Sequence, residues 1–252
     1  MNAANLINTD FYQNIVNHSN TLSLVLIGSI SRGDYIEGWS DIDFVLVYDS
    51  FNQEYFEEVE KLRANLEKSF DIKTGVELVE FNGLKYAVSG GARDASWLKI
   101  IKNLNISNPT LESAILYCKQ GFTLPLFDIT NISWECFYVY FNEVQNYIVK
   151  LCQNIDPLKA KYYLRKVIKN SLLIMQTYLL WEYKELYYHF DDVLKKWEEH
   201  IPAVSILSLK EAYELRLTWR TIPDNESLME LIKQNIDTFF KVNTYIMEEI
   251  RC

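Results

Sequence analysis

The sequence predicts two domains, an α/β domain followed by an all-α helical bundle. Up to about residue 81, short apolar runs rich in branched and aromatic residues alternate with helical periodicity. From about residue 130 onward the apolar residues recur almost throughout at helical spacing. A third observation singles out one connection in the first domain. Gly28, Gly33 and Gly38, three of the eight glycines, all lie between two of the apolar runs, so backbone freedom is concentrated there.

The elements follow in order. The pattern predicts a helix around 9–18, a strand at 22–27, a short helix from Ser29, a strand at 42–48, a helix at 53–69 and a strand at 73–81. The runs LSLVLI and FVLVY are short, branched and aromatic, which is how buried strands read. YFEEVEKLRANLEK reads as a solvated amphipathic helix whose glutamates are surface groups. After GGARDASWLKIIK, a helix from Pro109 to Gln120 and the turn-and-strand GFTLPLFD are expected to close the first domain. The boundary is placed near 130, giving domains 1–130 and 131–252. The bundle is expected to hold helices at 133–153, 157–183, 190–199, 203–219 and 225–250. Pro157, Pro202 and Pro223 each stand near a predicted start, where a missing N–H is tolerated.

Composition narrows the function classes. With 252 residues, 49% of them hydrophobic, the chain can bury a real core. Its 25 basic and 34 acidic side chains give 25 − 34 = −9, so no basic surface advertises nucleic-acid binding, and small or cationic acceptors are expected instead. Residues 1–130 hold 10 basic and 17 acidic groups and residues 131–252 hold 15 and 17, which puts most of the acidity in the first half. Cys118, Cys136, Cys152 and Cys252 are scattered without C-x-x-C spacing and read as reduced thiols. His18, His189 and His200 show no zinc-ligand spacing. SLLIMQTYLLW is too short to span a bilayer and MNAANLINTDFYQN does not read as a secretory leader, so a cytoplasmic protein without a membrane partner is expected.

The chemistry is concentrated in LVLIGSISRGDYIEGWSDIDFVLVY, Leu24 to Tyr48. Asp41 and Asp43 are two residues apart at the start of a strand, so their carboxylates share a face and converge. Two carboxylates side by side repel, and a divalent cation neutralises them. Mg²⁺ is the natural candidate, since it takes one or two protein carboxylates and completes its shell with water and substrate phosphates. Gly28 and Ser29 offer those phosphates close backbone approach, N–H groups and a hydroxyl, and Arg32 adds a cation. An isolated D-x-D is most often a solvated turn or a helix cap. Here it follows a strand, Gly-Ser and a connection containing Arg-Gly, and it leads into a second strand.

This stretch resembles the nucleotidyltransferase superfamily of the DNA polymerase beta type, whose pattern is hydrophobic-Gly-Ser, a spacer, then Asp-hydrophobic-Asp/Glu. The resemblance implies a nucleotidyltransferase domain with a mixed sheet and a third carboxylate on a later strand. KTGVELVEF offers Glu77 and Glu80, whose parity differs, so only one can face the aspartates. Glu77 is similar to the Leu-Glu-Val position of the spectinomycin and streptomycin adenylyltransferases. Glu80, just before Asn82-Gly83, fits a solvent-facing edge position. VLKKWEEHIP and AYELR are similar in layout to the C-terminal helical domain of the same enzymes. In related enzymes a basic residue of that domain meets the triphosphate, and KYYLRKVIKNSLL offers Lys166 and Lys169 on one face, with Arg165 beside it.

The resemblance implies transfer of AMP from ATP to a hydroxyl of a small molecule, an aminoglycoside-like antibiotic, with release of pyrophosphate. Asp41, Asp43 and Glu77 are the expected metal ligands and catalytic groups, with Glu77 also the candidate general base. Gly28, Ser29, Arg32, Lys166 and Lys169 are the expected nucleotide-binding residues, and the acceptor is expected in the cleft between the domains. One departure bears on the acceptor: NGLKYAVSGGARD stands where the spectinomycin-type pattern has a Trp-Arg-Tyr-Pro-like segment. A second reading is an antitoxin-type protein adenylyltransferase acting on a partner protein. A third, a degenerate binding module, conflicts with the intact Gly28, Ser29, Asp41 and Asp43.

Overall fold

A computed structural model of the chain describes residues 3–83, 115–124, 135–153, 156–221 and 226–251. The chain divides into two compact units, one running as far as Ile129 and the other built mainly from Thr130 onward. In the first unit α1 (Ala3–Ile7) and α2 (Asp10–Asn17) precede β1 (Thr21–Ile27), α3 (Ser29–Arg32), β2 (Ile42–Tyr48), α4 (Gln53–Phe70), β3 (Thr74–Glu80) and β4 (Ile115–Cys118). The strands lie in the order β3-β2-β1-β4. β2 runs parallel to β3 and antiparallel to β1, and β1 runs antiparallel to β4, so the sheet is mixed.

All seven residues of β1 are buried, as are Phe44 to Val47 of β2, because these two central strands are covered on both faces. On one face Leu24 and Leu26 of β1 and Ile42, Phe44 and Leu46 of β2 form a single cluster with Phe11 and Ile15 of α2 and Tyr55, Val59 and Leu66 of α4. Full burial of each such side chain contributes roughly 1.5–3 kcal/mol. Thr9 caps α2 by accepting from the Tyr12 amide, and Asn52 caps α4 by accepting from the Tyr55 amide. The Tyr55 hydroxyl meets the Thr21 hydroxyl at 2.7 Å inside the core, and burial pushes its pKa up to about 12.

The region before residue 120 departs from expectation. A helix is predicted from Pro109 to Gln120, but Ile115–Cys118 is a strand. Ile, Leu, Tyr and Cys are good strand residues there, and pairing completes the otherwise open ladder of β1. Bonds beyond the ladder help hold the strand in place: the Tyr12 hydroxyl donates to the Leu116 carbonyl at 3.0 Å, the Ser23 hydroxyl to the Tyr117 carbonyl at 2.9 Å, and the Lys119 amide to the Leu22 carbonyl at 2.9 Å. Of the predicted turn-and-strand, Gly121 to Leu124 form a turn and irregular chain, with Gly121 at φ 79°. The rest of it, and GGARDASWLKIIK, lie outside the described residues.

The second unit contains α5 (Glu135–Leu151), α6 (Pro157–Tyr183), α7 (Phe190–His200), α8 (Leu207–Glu214), a 3₁₀ segment (Leu215–Thr221) and α9 (Glu226–Arg251). Helix α6 starts with Asp156 accepting from the Leu158 amide and Pro157 in the first turn. Its Leu164, Val167, Ile168, Leu172, Met175 and Leu179 are wholly buried, so the unit is organised around it. The helix expected over 203–219 is shorter. It becomes 3₁₀ after Glu214, with Thr218 at φ −118°, ψ 20°. The Thr221 hydroxyl bonds the Thr218 carbonyl there, a side-chain alternative to regular helix. Among the described residues no helix is long and apolar enough to cross a membrane.

Candidate active site

Two chain segments bring the polar groups to the sheet. β1 ends at Ile27, and Gly28 follows at φ 76°, ψ −150°, a conformation essentially reserved for glycine. Its carbonyl accepts from the Ser31 hydroxyl at 2.9 Å and from the Arg32 amide, and Gly33 ends α3 in the left-handed region at φ 78°. The second segment leads into β2. The Ser40 hydroxyl accepts from the Ile36 amide at 3.0 Å, and the Ser40 amide donates to the Ile36 carbonyl at 2.8 Å. With Trp39 buried beside it, this turn fixes the chain just before Asp41. The Ile42 amide then donates to the Lys73 carbonyl at 2.9 Å and starts the parallel pairing with β3.

Asp43 pairs with Ile27 on one side and Gly75 on the other. Its carboxylate lies in a notch between two glycines. A Cβ built on Gly75 would stand 2.7 Å from Asp43 Oδ1, and one built on Gly28 would stand 3.4 Å from Oδ2. Asp41 precedes Asp43 by two residues and stands immediately before the first residue of β2. Glu77 pairs with Val45, so it lies on the same face as Asp43, one same-face position farther along. Glu80 pairs with Tyr48 on the opposite face and is exposed. Burial, and then the Glu80 charge, raise the Tyr48 pKa.

Among the described residues no three His, Cys, Asp or Glu side chains come together closely enough to hold a metal ion. Asp43 and Glu77 therefore share a face without closing a ligand shell with Asp41. Asp41 and Asp43 supply hard oxygen donors two residues apart in the chain, and Asp43 is held in the two-glycine notch. That set fits a cation such as Mg²⁺, which takes one or two carboxylates and fills its other positions with water and phosphate oxygens.

The remaining predicted residues are placed as follows. Ser29 opens α3, half-buried. Arg32 Nε donates to Asp34 Oδ2 at 3.3 Å, so its charge is shared with a neighbouring carboxylate. In the helical unit Lys166 and Lys169 are half-buried on α6, with Lys166 Nζ 5.6 Å from the Tyr162 ring centroid. Arg165 beside them is buried, its guanidinium carbon 5.7 Å from the same centroid.

Three features were not singled out in the sequence. Gly75 is an isolated glycine inside a strand pattern, a signal of close approach that KTGVELVEF carries openly. Ser40 and Trp39 act through a local turn that polarity alone does not reveal. Arg63 and Glu67, read as surface charges of α4, meet the backbone of β3. Arg63 Nη1 donates to the Thr74 carbonyl at 2.9 Å, and the Thr74 amide donates to Glu67 Oε2 at 3.0 Å.

A family model described as a nucleotidyltransferase domain matches residues 13–103. In fold, the chain is similar to a spectinomycin adenyltransferase from Enterococcus faecialis, solved with ATP and spectinomycin. That likeness has a TM-score of 0.51 at 11% identity and covers 92% of this chain and 99% of that one. A nucleotidyltransferase-like protein from Exiguobacterium sibiricum 255-15 aligns over 94% of this chain and 77% of its own, at 13% identity and a TM-score of 0.24. No curated protein matches the chain in sequence. The segment that the family model matches contains Gly28, Ser29, Asp41, Asp43 and Glu77, so these residues lie within a nucleotidyltransferase domain, and the fold of the chain is that of such a domain followed by a helical one.

Proposed function

We propose that this nucleotidyltransferase moves AMP from Mg²⁺-ATP to a hydroxyl of a small, cationic, aminoglycoside-like molecule. The observation that carries this reading is Asp43 and Glu77 on one sheet face, with Asp43 against Gly28 and Asp41 two residues before it. The spectinomycin adenyltransferase it resembles in fold was solved with ATP and spectinomycin, which supports an adenylyl donor and a drug-like acceptor.

In the reaction the acceptor oxygen attacks the α-phosphorus, the bond from that phosphorus to the β-phosphate oxygen breaks, and pyrophosphate leaves. Asp41 and Asp43 are the residues that would hold Mg²⁺, which when bound supplies neutralisation of phosphate charge. Ser29 and the backbone N–H groups beside Gly28 orient the outer phosphates. Arg32 reaches them by exchanging Asp34 for a phosphate oxygen. Glu77 accepts the acceptor's proton as its oxygen bonds to phosphorus. The chain's net charge of −9, with its acidic excess in residues 1–130, favours an acceptor bearing ammonium groups.

The test is pyrophosphate release from Mg²⁺-ATP across a panel of aminoglycosides, spectinomycin, lincomycin and protein extracts. A signal with a cationic drug that weakens as salt rises supports the reading, because the Debye length falls from ~10 Å at 0.1 M to ~3 Å at 1 M. Transfer to a single protein band with every drug silent overturns the small-molecule acceptor in favour of an antitoxin-type protein adenylyltransferase.

A further inference from the structure

Gly75 does not need to be glycine for its backbone. It sits in the regular ladder of β3 opposite Asp43, and it is not among the glycines with positive φ. Glycine inside a strand is unfavourable, because it gives up more conformational freedom than any other residue and packs no side chain. Space is what it provides. A Cβ at this position would lie 2.7 Å from Asp43 Oδ1, closer than real Cβ contacts come, while nothing else lies that near. The atom that must give way is the tip of a side chain, so the fold can accommodate a Cβ by moving the carboxylate. Gly28 closes the other side of the same carboxylate, and its own φ of 76° forbids an easy replacement there.

We infer that Gly75 is a positioning residue: the missing side chain at 75 holds the Asp43 carboxylate in the plane between β1 and β3 from which it binds the divalent cation. This rests on the proposed function, in which Asp43 is a metal ligand. It makes Gly75 a site where stability and function pull apart. Gly75→Ala should keep or raise the thermal midpoint of the apo protein, since alanine is the better strand residue, while turning the carboxylate away from its place.

The experiment measures three quantities on wild type, Gly75→Ala, Asp43→Asn and the double variant. They are the apo melting temperature, the affinity for Mn²⁺ read by the electron-spin signal of the free ion, and the rate of pyrophosphate release. The expected result is an apo melting temperature at or above wild type for Gly75→Ala. Its Mn²⁺ affinity should fall about tenfold or more, which corresponds to about 1.4 kcal/mol per decade. The alanine should add no further loss in the Asp43→Asn background. Wild-type Mn²⁺ affinity in Gly75→Ala overturns the inference and leaves the proposed function standing. A large fall in melting temperature also overturns it, because Gly75 would then serve the fold. So does an equal loss of affinity with or without Asp43. Wild type that binds no Mn²⁺ and transfers no nucleotide removes the proposed function itself, and the inference with it.

Discussion

The two faces of the sheet are made by the same strands and are spent on different ends. On one face Leu24, Leu26, Ile42, Phe44 and Leu46 disappear into the cluster beneath α2 and α4. On the other, the residues one step away in sequence include Asp43 and Glu77. Alternation at a period of two lets Phe44 and Asp43 be neighbours with opposite duties. The difference teaches that Phe44 and Asp43, adjacent in β2, serve stability and chemistry separately, although Val45 and Val47 on the Asp43 face are themselves buried in the core.

The strongest way to break this comparison is to change the two neighbours separately. Asp43→Asn should lower nucleotidyl transfer by about a thousandfold or more, since metal-assisted stabilisation of phosphate charge is worth several kcal/mol. Its melting temperature should stay near wild type, because one of two repelling carboxylates has been neutralised. Phe44→Ala should do the reverse. A wholly buried Phe reduced to Ala costs ~3–5 kcal/mol, a large part of the ~5–15 kcal/mol that holds a typical domain together. Whatever remains folded at low temperature should still turn over. Denaturant titration and initial rates on both variants decide it, and a badly destabilised Asp43→Asn would erase the distinction between the faces.

Much of this was legible in the residues because it is local. Strands β1, β2 and β3 follow from branched and aromatic runs, and the shared face of Asp43 and Glu77 follows from strand parity and parallel register. What was not legible depends on pairing across long stretches of chain. Ile115–Cys118 reads equally well as the last turn of a helix, and only the open edge of β1, far away in sequence, selects the strand. The Asp43 notch is hidden for the same reason. Gly28 and Gly75 are separated by the whole of α3, β2 and α4, and their common neighbour appears only once both strands flank β2. Arg63 and Glu67 sit at ordinary helix spacing and gave no sign that the Thr74 backbone would complete them.

A sharper and smaller contrast lies on β3. Glu77 and Glu80 are chemically alike, and the register puts them on opposite faces. If Glu77 takes the acceptor proton, Glu77→Gln should cost about 10²–10⁴-fold in rate, the usual worth of a positioned base. Glu80→Gln should leave the rate near wild type, and neither change should shift the melting temperature much, since Glu80 is exposed and Glu77 half-buried. Steady-state rates for the pair suffice. Loss on Glu80→Gln with Glu77→Gln active would mean that the functional face is the other one.

The smallest expected effect tests how β3 is held beside the site. The Thr74 amide, and then the Arg63 guanidinium, keep the Glu67 carboxyl below the usual carboxylate range, and Arg63 does the same for Glu60. A carboxylate whose pKa is lowered by folding stabilises the fold above its ordinary value, 4.5, and loses that contribution as the pH falls through the lowered one. Both glutamates are substantially exposed, so water and salt screen the pairs and each is worth ~0.2–1 kcal/mol. Arg63→Gln should therefore lower the melting temperature slightly at pH 7, and the gap to wild type should narrow below pH 4.5 as the glutamates protonate. Transfer at pH 7 should barely change, because the clamp grips the Thr74 backbone while the Gly75 notch and the Glu77 register are set by pairing with β2. Melting curves of both proteins at pH 7 and at acid pH separate the possibilities. A gap that stays constant with pH would assign the role of Arg63 to its hydrogen bond with the Thr74 carbonyl and to packing, not to charge.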